Sequence, residues 1–217
     1  MTTIMQSGWS QSRSNLALGT LGLGTFVMGT AELVVVGILN LIAQDMGVSI
    51  STAGQLVIAY ALGISIGGPI LTALTIRFGR RFQLWMSLAI YIAGNVLAVV
   101  AVAFSMFIVA QIVTDSIHGL FIGVAFAVAA GLVPPDRQGR AISIVIGGIA
   151  VSTVVGVPLG TLIGQAMGWL GSSVVFLGVI ALASTLVFVP SVEGRGTGGF
   201  ARRLLPRLPH GCWPCWG

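Results

Sequence analysis

Long uninterrupted apolar stretches are the feature of this 217-residue sequence that most restricts its fold. A helix that crosses a lipid bilayer needs about 20 mostly apolar residues. Stretches of this kind occur six times, separated by short breaks that are polar or contain glycine and proline. The sequence therefore predicts six transmembrane helices, numbered here as spans one to six: 16–42, 52–75, 83–103, 107–132, 141–166 and 171–190.

Composition excludes a water-soluble domain. Hydrophobic residues make up 56% of the chain and charged residues 7%, whereas a soluble domain has about 25% charged residues. The first apolar stretch is too long for a cleaved signal peptide and is predicted to be a retained helix. Three regions follow from these observations. They are a tail at 1–15, a transmembrane domain at 16–190 and a second, unstructured tail at 191–217.

All ten basic residues are arginines, and six crossings would place every one of them on the same side of the membrane. Loops rich in arginine normally face the cytoplasm. We therefore predict that both termini are cytoplasmic and that the chain lies in the inner (plasma) membrane. The net charge of +5 reflects this topology and does not indicate nucleic-acid binding. Arg13 precedes span one, and the arginines after spans two, four and six are Arg77, Arg80, Arg81, Arg137, Arg140, Arg195, Arg202, Arg203 and Arg207.

Two acidic residues, Glu32 and Asp115, fall inside predicted spans. A charged group there costs at least about 2.5 kcal/mol and marks a candidate functional site. Glu32 shares a helical stripe with Asn40, and Gln111, Asp115 and His118 share a face of span four, on which Asp115 and His118 can touch. These five polar residues are predicted either to bind protons and line a cavity or to make static contacts between helices.

Span five carries small residues at every fourth position, a pattern that allows close contact between helices. Pro158 lies among them and cannot donate a hydrogen bond to the carbonyl of Val154, so a kink is expected. The span is therefore either a bending element or a tight packing seam. The small residues are Gly148, Ser152, Gly156, Gly160 and Gly164.

Two short motifs do not indicate catalysis. The sequence GISIG at 63–67 matches the nucleophile elbow of serine hydrolases, but that motif needs a strand before it and a base nearby. Cys212 and Cys215 form a C-x-x-C pair in the tail without a fourth metal ligand. We predict that the chain is not an enzyme. No metal or cofactor is expected.

Several segments resemble the major facilitator superfamily of transporters. The stretch GGPILTALTIRFGRR (67–81) is similar to its loop signature between spans two and three, and GVPLG (156–160) resembles the span-five motif of proton-driven antiporters. Residues 29–49 and 117–141 are similar to the drug and sugar efflux branch, which includes arabinose and chloramphenicol exporters. The resemblance implies an all-α membrane protein, a six-helix bundle built as a 3+3 inverted repeat that forms one half of the transporter fold.

The resemblance also implies roles for individual residues. A cytoplasmic gating loop would contain Gly68, Pro69, Arg77, Gly79, Arg80 and Arg81, and the antiporter-like motif of span five would contain Gly156, Pro158 and Gly160. The chain departs from the family pattern at four positions. Thr72 and Ile76 stand where the loop signature has glycine and aspartate. On span four, Gln111 stands where arginine is usual and Asp115 where a small residue is usual.

Full members of the family contain two six-helix halves, so the resemblance predicts the N-terminal half of a proton-coupled secondary transporter that exports small organic solutes such as drugs or sugars. Its expected partners are the lipid bilayer, protons, a small-molecule substrate, and either a second six-helix half or another copy of the chain. Two alternatives remain: a truncated or frameshifted nonfunctional product, and a half-size transporter that acts as a dimer.

Overall fold

In the computed structural model the described residues are 11–168, and they form helices joined by short turns. Five helical segments are long and apolar enough to cross a membrane, which confirms the all-α prediction for this part of the chain. The predicted sixth span at 171–190 lies outside the described residues. The five spans cover Ser14–Gly37, Ile50–Thr75, Phe82–Val99, Phe104–Gly131 and Pro135–Gly168.

Span one ends earlier than predicted. Helix α1 (Gln11–Gly37) is followed by a turn at Ile38, with φ −110° and ψ 15°, and by the short helix α2 (Leu39–Asp45). The backbone at Gly37 lies directly against Thr161 of span five, so that a Cβ at this position would collide with the Thr161 hydroxyl. The break therefore lies beside a close contact between spans one and five.

Within residues 50–168 the remaining spans contain ten further helical segments. Span two begins at Ser49, whose hydroxyl accepts a hydrogen bond from the Thr52 N–H at 3.0 Å and so caps the first turn. Its segments are α3 (Ile50–Ala53), α4 (Gln55–Leu62), a π-helical segment (Gly63–Gly67) and α5 (Gly68–Thr75). Span three is within α6 (Arg80–Val99) and span four is α7 (Phe104–Gly131). Span five consists of a 3₁₀ turn (Pro135–Arg137), α8 (Gln138–Val151), a second π-helical segment (Ser152–Gly156) and α9 (157–168).

The two π-helical segments have the same relation to a proline. The Gly68 N–H donates to the carbonyl of Gly63, five residues earlier, and Pro69 follows. In span five the Val157 N–H donates to the carbonyl of Ser152, and Pro158 follows. A proline cannot bond the carbonyl four residues before it and its ring pushes that carbonyl away. One wide turn accommodates each ring, which confirms the expected distortion at Pro158 and shows that the GISIG motif is a helical packing element.

The spans pair across the two repeats. Span one packs mainly against span five, and span four packs against spans two and three. The first repeat contains spans one to three and the second contains spans four to six. Span two of the first repeat packs against span four, and span five of the second packs against span one, which is the exchange that an inverted repeat produces. The small residues of span five are therefore a packing seam, with Gly148 against the Gly22 carbonyl of span one and Ser152 against Gly29.

Two apolar clusters fill the bundle. The larger one lies in the half that carries the arginine-rich turn after span two, and includes Leu21, Leu84 and Phe121. The smaller one lies in the opposite half and includes Val34 and Phe107. Glu32, Asp115 and His118, which are buried and ionisable, lie between the two clusters.

Burial differs strongly among the spans. In the most apolar part of spans one and four 56% of the residues are buried, against 39% for span three. The value falls to 22% for span two and 17% for span five. Spans two and five thus leave one face uncovered by the described residues.

Candidate functional site

The centre of the bundle contains an ionisable pair formed by spans one and four. Glu32 is 4% exposed and His118 is 2% exposed, and the His118 Nδ1 atom makes a close hydrogen-bonded contact with Glu32 Oε2. The sequence reasoning placed His118 beside Asp115 on the same helix. Its hydrogen-bonding partner is instead a residue 86 positions away, because spans one and four cross at this level.

Asp115 completes the cluster from the other side. It is fully buried, and its Oδ1 accepts a hydrogen bond from Gln111 Nε2 at 3.4 Å. The carboxyl group also interacts with Glu32 and His118. Room for it comes from span two, where a Cβ added to Gly63 would lie only 2.7 Å from Asp115 Cβ. Gln111, Asp115 and His118 are all buried on one face of span four, as their spacing predicts.

Among the described residues no N–H or hydroxyl group donates to Glu32 Oε1 or Asp115 Oδ2, and His118 Nε2 has no partner. The two carboxyl groups interact with each other, so one proton shared between them would pair them. Buried polar atoms are usually paired, and leaving them unpaired is expensive, above all within a bilayer. The cluster thus retains capacity to bind a proton, water or a polar ligand group.

Contacts with the two π-helical segments identify equivalent residues in spans one and four. The first residue of the π-helical segment in span five contacts Gly29 of span one, and its last residue contacts Thr30. In the same way, the first residue of the segment in span two contacts Asp115 of span four, and its last residue contacts Ser116. Glu32 stands three residues after Gly29, and His118 stands three residues after Asp115. Glu32 and His118 therefore occupy equivalent positions in the two repeats. They meet because residues near a pseudo-two-fold axis lie next to their own symmetry counterparts.

Span three contributes two residues that the sequence reasoning missed. The Tyr91 hydroxyl donates to the Met28 carbonyl at 3.3 Å, and its ring presents an edge to His118 at a centroid distance of 6.5 Å. Asn95 Nδ2 donates to the Tyr91 carbonyl at 2.9 Å. The sequence signal for them is that Tyr91 and Asn95 are polar residues four positions apart within a mostly apolar span, which places them on the same face of the helix.

The polar stripe on span one separates into two parts. Gly22, Thr25 and Gly29 are buried against span five, and the Thr25 hydroxyl donates to the Val145 carbonyl at 2.9 Å. Asn40 lies beyond the turn at Ile38 and is exposed, so it does not join the buried cluster.

The residues of the predicted gating loop fall into two groups, one inside span two and one at the turn between spans two and three. Gly68 and Pro69 are inside span two, where the Gly68 backbone packs on Gly119 so closely that a Cβ would approach Gly119 Cα to 2.9 Å. Arg80 Nη1 donates to the Ala127 carbonyl at 2.7 Å and so ties the turn to the end of span four. Arg77 and Gly79 lie in the turn itself, and Arg80 and Arg81 begin α6.

The antiporter-like motif surrounds the second π-helical segment. Gly156 is buried at the end of that segment, so close to Thr30 that a Cβ would collide with its side chain. Gly160 is buried one turn later, and Pro158 between them is exposed. The two glycines therefore serve the contact with span one, while the proline faces the uncovered side.

No three histidine, cysteine, aspartate or glutamate side chains within residues 11–168 form a group that could hold a metal ion. The absence of a cofactor remains a prediction.

Comparison with known proteins supports the fold. The chain is 40% identical over 191 residues to the transporter YtbD of Bacillus subtilis, covering 87% of this chain and 48% of that protein. It is 36% identical to the chloramphenicol resistance protein of Streptomyces lividans over 71% of this chain and 39% of that protein. The solved structure of the proton:xylose symporter XylE, bound to 6-bromo-6-deoxy-D-glucose, superposes with a TM-score of 0.71 at 18% identity, covering 83% of this chain and 45% of XylE.

The chain spans about half the length of the curated relatives it matches. The family model described as Major Facilitator Superfamily matches residues 21–209, which is most of the chain. Together with the helical architecture and the repeat-crossed packing, this match shows that the chain belongs to the major facilitator superfamily of membrane transporters.

Proposed function

We propose that this chain forms the N-terminal half of a proton-coupled secondary transporter that exports small organic solutes. The observation that carries the proposal is the buried cluster of Glu32, Asp115 and His118 inside membrane-spanning helices. Ionisable residues at such depth are costly and typically serve proton or substrate pathways.

Proton coupling follows from the chemistry of the pair. A carboxylate on Glu32 attracts a protonated His118, and a proton delivered to the carboxylate removes that attraction. The contact joins spans one and four, which belong to different repeats. Uptake and release of a proton would therefore change how tightly the two repeats hold together.

The uncovered faces of spans two and five favour the presence of a second six-helix bundle. Transporters of this fold work by rocking one bundle against another around a central site. A second six-helix half would cover these faces, and a second copy of the chain is the competing arrangement.

The proposed orientation is the one that the arginine distribution predicts, with the arginine-rich turns in the cytoplasm. In a variant lacking Cys212 and Cys215, an impermeant thiol reagent applied to intact cells is expected to label Ser105→Cys. The same reagent should leave Arg137→Cys unlabelled, since that turn carries arginine and would face the cytoplasm. Labelling of Arg137→Cys from outside would reverse the orientation.

Chloramphenicol is the first substrate to test, because a relative is named as a chloramphenicol resistance protein. The chain, alone and co-expressed with the second half of YtbD, would be assayed for pH-gradient-driven chloramphenicol transport in inverted membrane vesicles. Glu32→Gln and Asp115→Asn are expected to abolish it, because a neutral isostere preserves packing and cannot change charge. Asp136→Asn, which alters an exposed turn, is the matched control. Transport with unchanged pH dependence in both variants would contradict proton coupling through this cluster.

A further inference from the structure

A small polar cavity lies beside Glu32, where spans one and three meet span four. It is lined by these three spans, in the half of the bundle opposite the arginine-rich turn, and has a volume of about 30 Å³. By this measure about two water molecules fit, since each needs roughly 10–15 Å³. The polar residues that line it are Glu32, Tyr91, Asn95, Gln111 and Thr114.

The cavity has an ionisable group in its wall. Glu32 is one of the lining residues and is 4% exposed, and its Oε1 atom receives no hydrogen bond from an N–H or hydroxyl group among the described residues, although its carboxyl group can share a proton with Asp115. Polar cavities with room for water and several partners are normally hydrated, whereas apolar cavities stay dry. Amide and hydroxyl groups from three spans supply the additional partners that a bound water needs.

We propose that this cavity is a hydration chamber that holds water against Glu32 and connects it to the aqueous phase at the end of the bundle opposite the arginines. The inference rests on the proposed function, and it adds a route for protons through the interior of one bundle. This route is separate from the uncovered faces of spans two and five.

The geometry gives the chamber a floor and a lid. Tyr91 lies at the floor, where its hydroxyl is held by the Met28 carbonyl one turn below Glu32. Val34, Ile38 and Phe107 belong to the apolar cluster on the far side and separate the chamber from the end of the bundle. Water would pass this lid only when the helix ends open locally. The ionisable groups around Glu32 are His118, Asp115, Tyr91 and Tyr60.

The test measures whether water-sized solutes reach the chamber. In the full chain lacking Cys212 and Cys215, reconstituted in liposomes, silver ion would be the probe for Thr114→Cys, and Thr25→Cys would be the matched control. Both threonines are buried and donate to backbone carbonyls, but only Thr114 lines the cavity. Blockage of the thiol would be read as loss of maleimide labelling after unfolding.

We expect silver to block Thr114→Cys at least about tenfold faster than Thr25→Cys. Opening of the helix ends admits silver to the water-filled chamber, whereas Thr25 lies in the packed seam between spans one and five, which must itself separate. Adding Asn95→Leu should slow the reaction of Thr114→Cys, because an apolar wall dries the chamber. Equal rates at both positions, or no reaction at either, would overturn the proposal. An unreactive Thr114→Cys together with Glu32-dependent transport would overturn the chamber alone. A reactive Thr114→Cys without pH-driven transport would overturn the proposed function alone.

Discussion

The two crossed helix pairs of the bundle, span one with span five and span four with span two, share a backbone plan and differ in side chains. Both pairs place a π-helical segment against the partner helix, and both pair a hydroxyl residue with the last glycine of that segment. They differ at the first residue of the segment. Ser152 faces Gly29 in one pair, whereas Gly63 faces Asp115 in the other.

The difference shows how a repeated fold acquires an asymmetric centre. At each contact one partner is glycine and the other has a side chain, but the side chain is on span five in one pair and on span four in the other. The exchange gives span four room for Asp115 without moving the backbone. A second carboxyl group thereby joins Glu32 and His118, which are themselves equivalent positions.

Exchanging the residues of the central pair is the strongest test of that equivalence. His118→Glu places a third carboxyl group beside Glu32 and Asp115, so the free energy of unfolding should fall by about 3–5 kcal/mol, as when a buried pair is broken. Adding Glu32→His restores one acid and one base across the axis and should recover much of the loss. The measurement is detergent-induced unfolding of the full chain, followed by tryptophan fluorescence.

Gln111→Glu is the control for the exchange. It adds a carboxyl group to the same face of span four, away from the symmetric position, and Glu32→His is not expected to rescue it. Rescue of both variants, or of neither, would show that the pair is not specified by symmetry.

Adding a side chain at Gly63 of span two should have the next largest effect on the free energy of unfolding. Gly63→Ala places a Cβ 2.7 Å from Asp115 Cβ and 3.2 Å from backbone atoms of Ile112 and Ser116, so the helices must separate. Overpacking of this kind costs about 1–3 kcal/mol, measurable in the same unfolding assay. Gly123→Ala, whose nearest contact is 3.7 Å, is the control and should change stability little. Equal stability of the two variants would argue against the close fit at Asp115.

Replacing each proline tests whether the two wide turns are equivalent. Pro69→Ala and Pro158→Ala restore an N–H donor and remove a ring from the exposed side of each span. Each change is expected to raise the free energy of unfolding by about 1 kcal/mol, less than the roughly 3 kcal/mol of an unaccommodated proline. Thermal unfolding of the two variants should therefore shift in the same direction by similar amounts. A shift at one site alone would show that the turns have different causes.

The smallest expected effect concerns a hydrogen bond that crosses the seam between spans one and five. Thr25→Val keeps the shape and removes the bond to the Val145 carbonyl. Such bonds between membrane helices contribute about 0.6 kcal/mol on average, which detergent unfolding should resolve. Thr20→Val removes only bonds within α1 and provides the reference. An equal loss in both variants would mean that the cross-seam bond contributes nothing specific.

Local signals in the sequence predicted much of this structure. Hydropathy located the five described spans, and the four-residue spacing on span five identified the seam, because both depend on residues near each other in the chain. Pro158 indicated a distorted turn, yet the same argument was not applied to Pro69. The partner of His118 could not be read from spacing, since it depends on how two distant helices cross. The role of Gly63 became clear only when the position of Asp115 was known.

The contact between Glu32 and His118 also has a consequence for biosynthesis. The two residues are 86 positions apart in the chain. At a synthesis rate of about 5–20 residues per second, Glu32 waits roughly 4–17 s before its partner leaves the ribosome. During that interval span one must enter the bilayer with an unpaired acidic residue, at a cost of at least about 2.5 kcal/mol. That cost is offset only when span four arrives and His118 contacts Glu32.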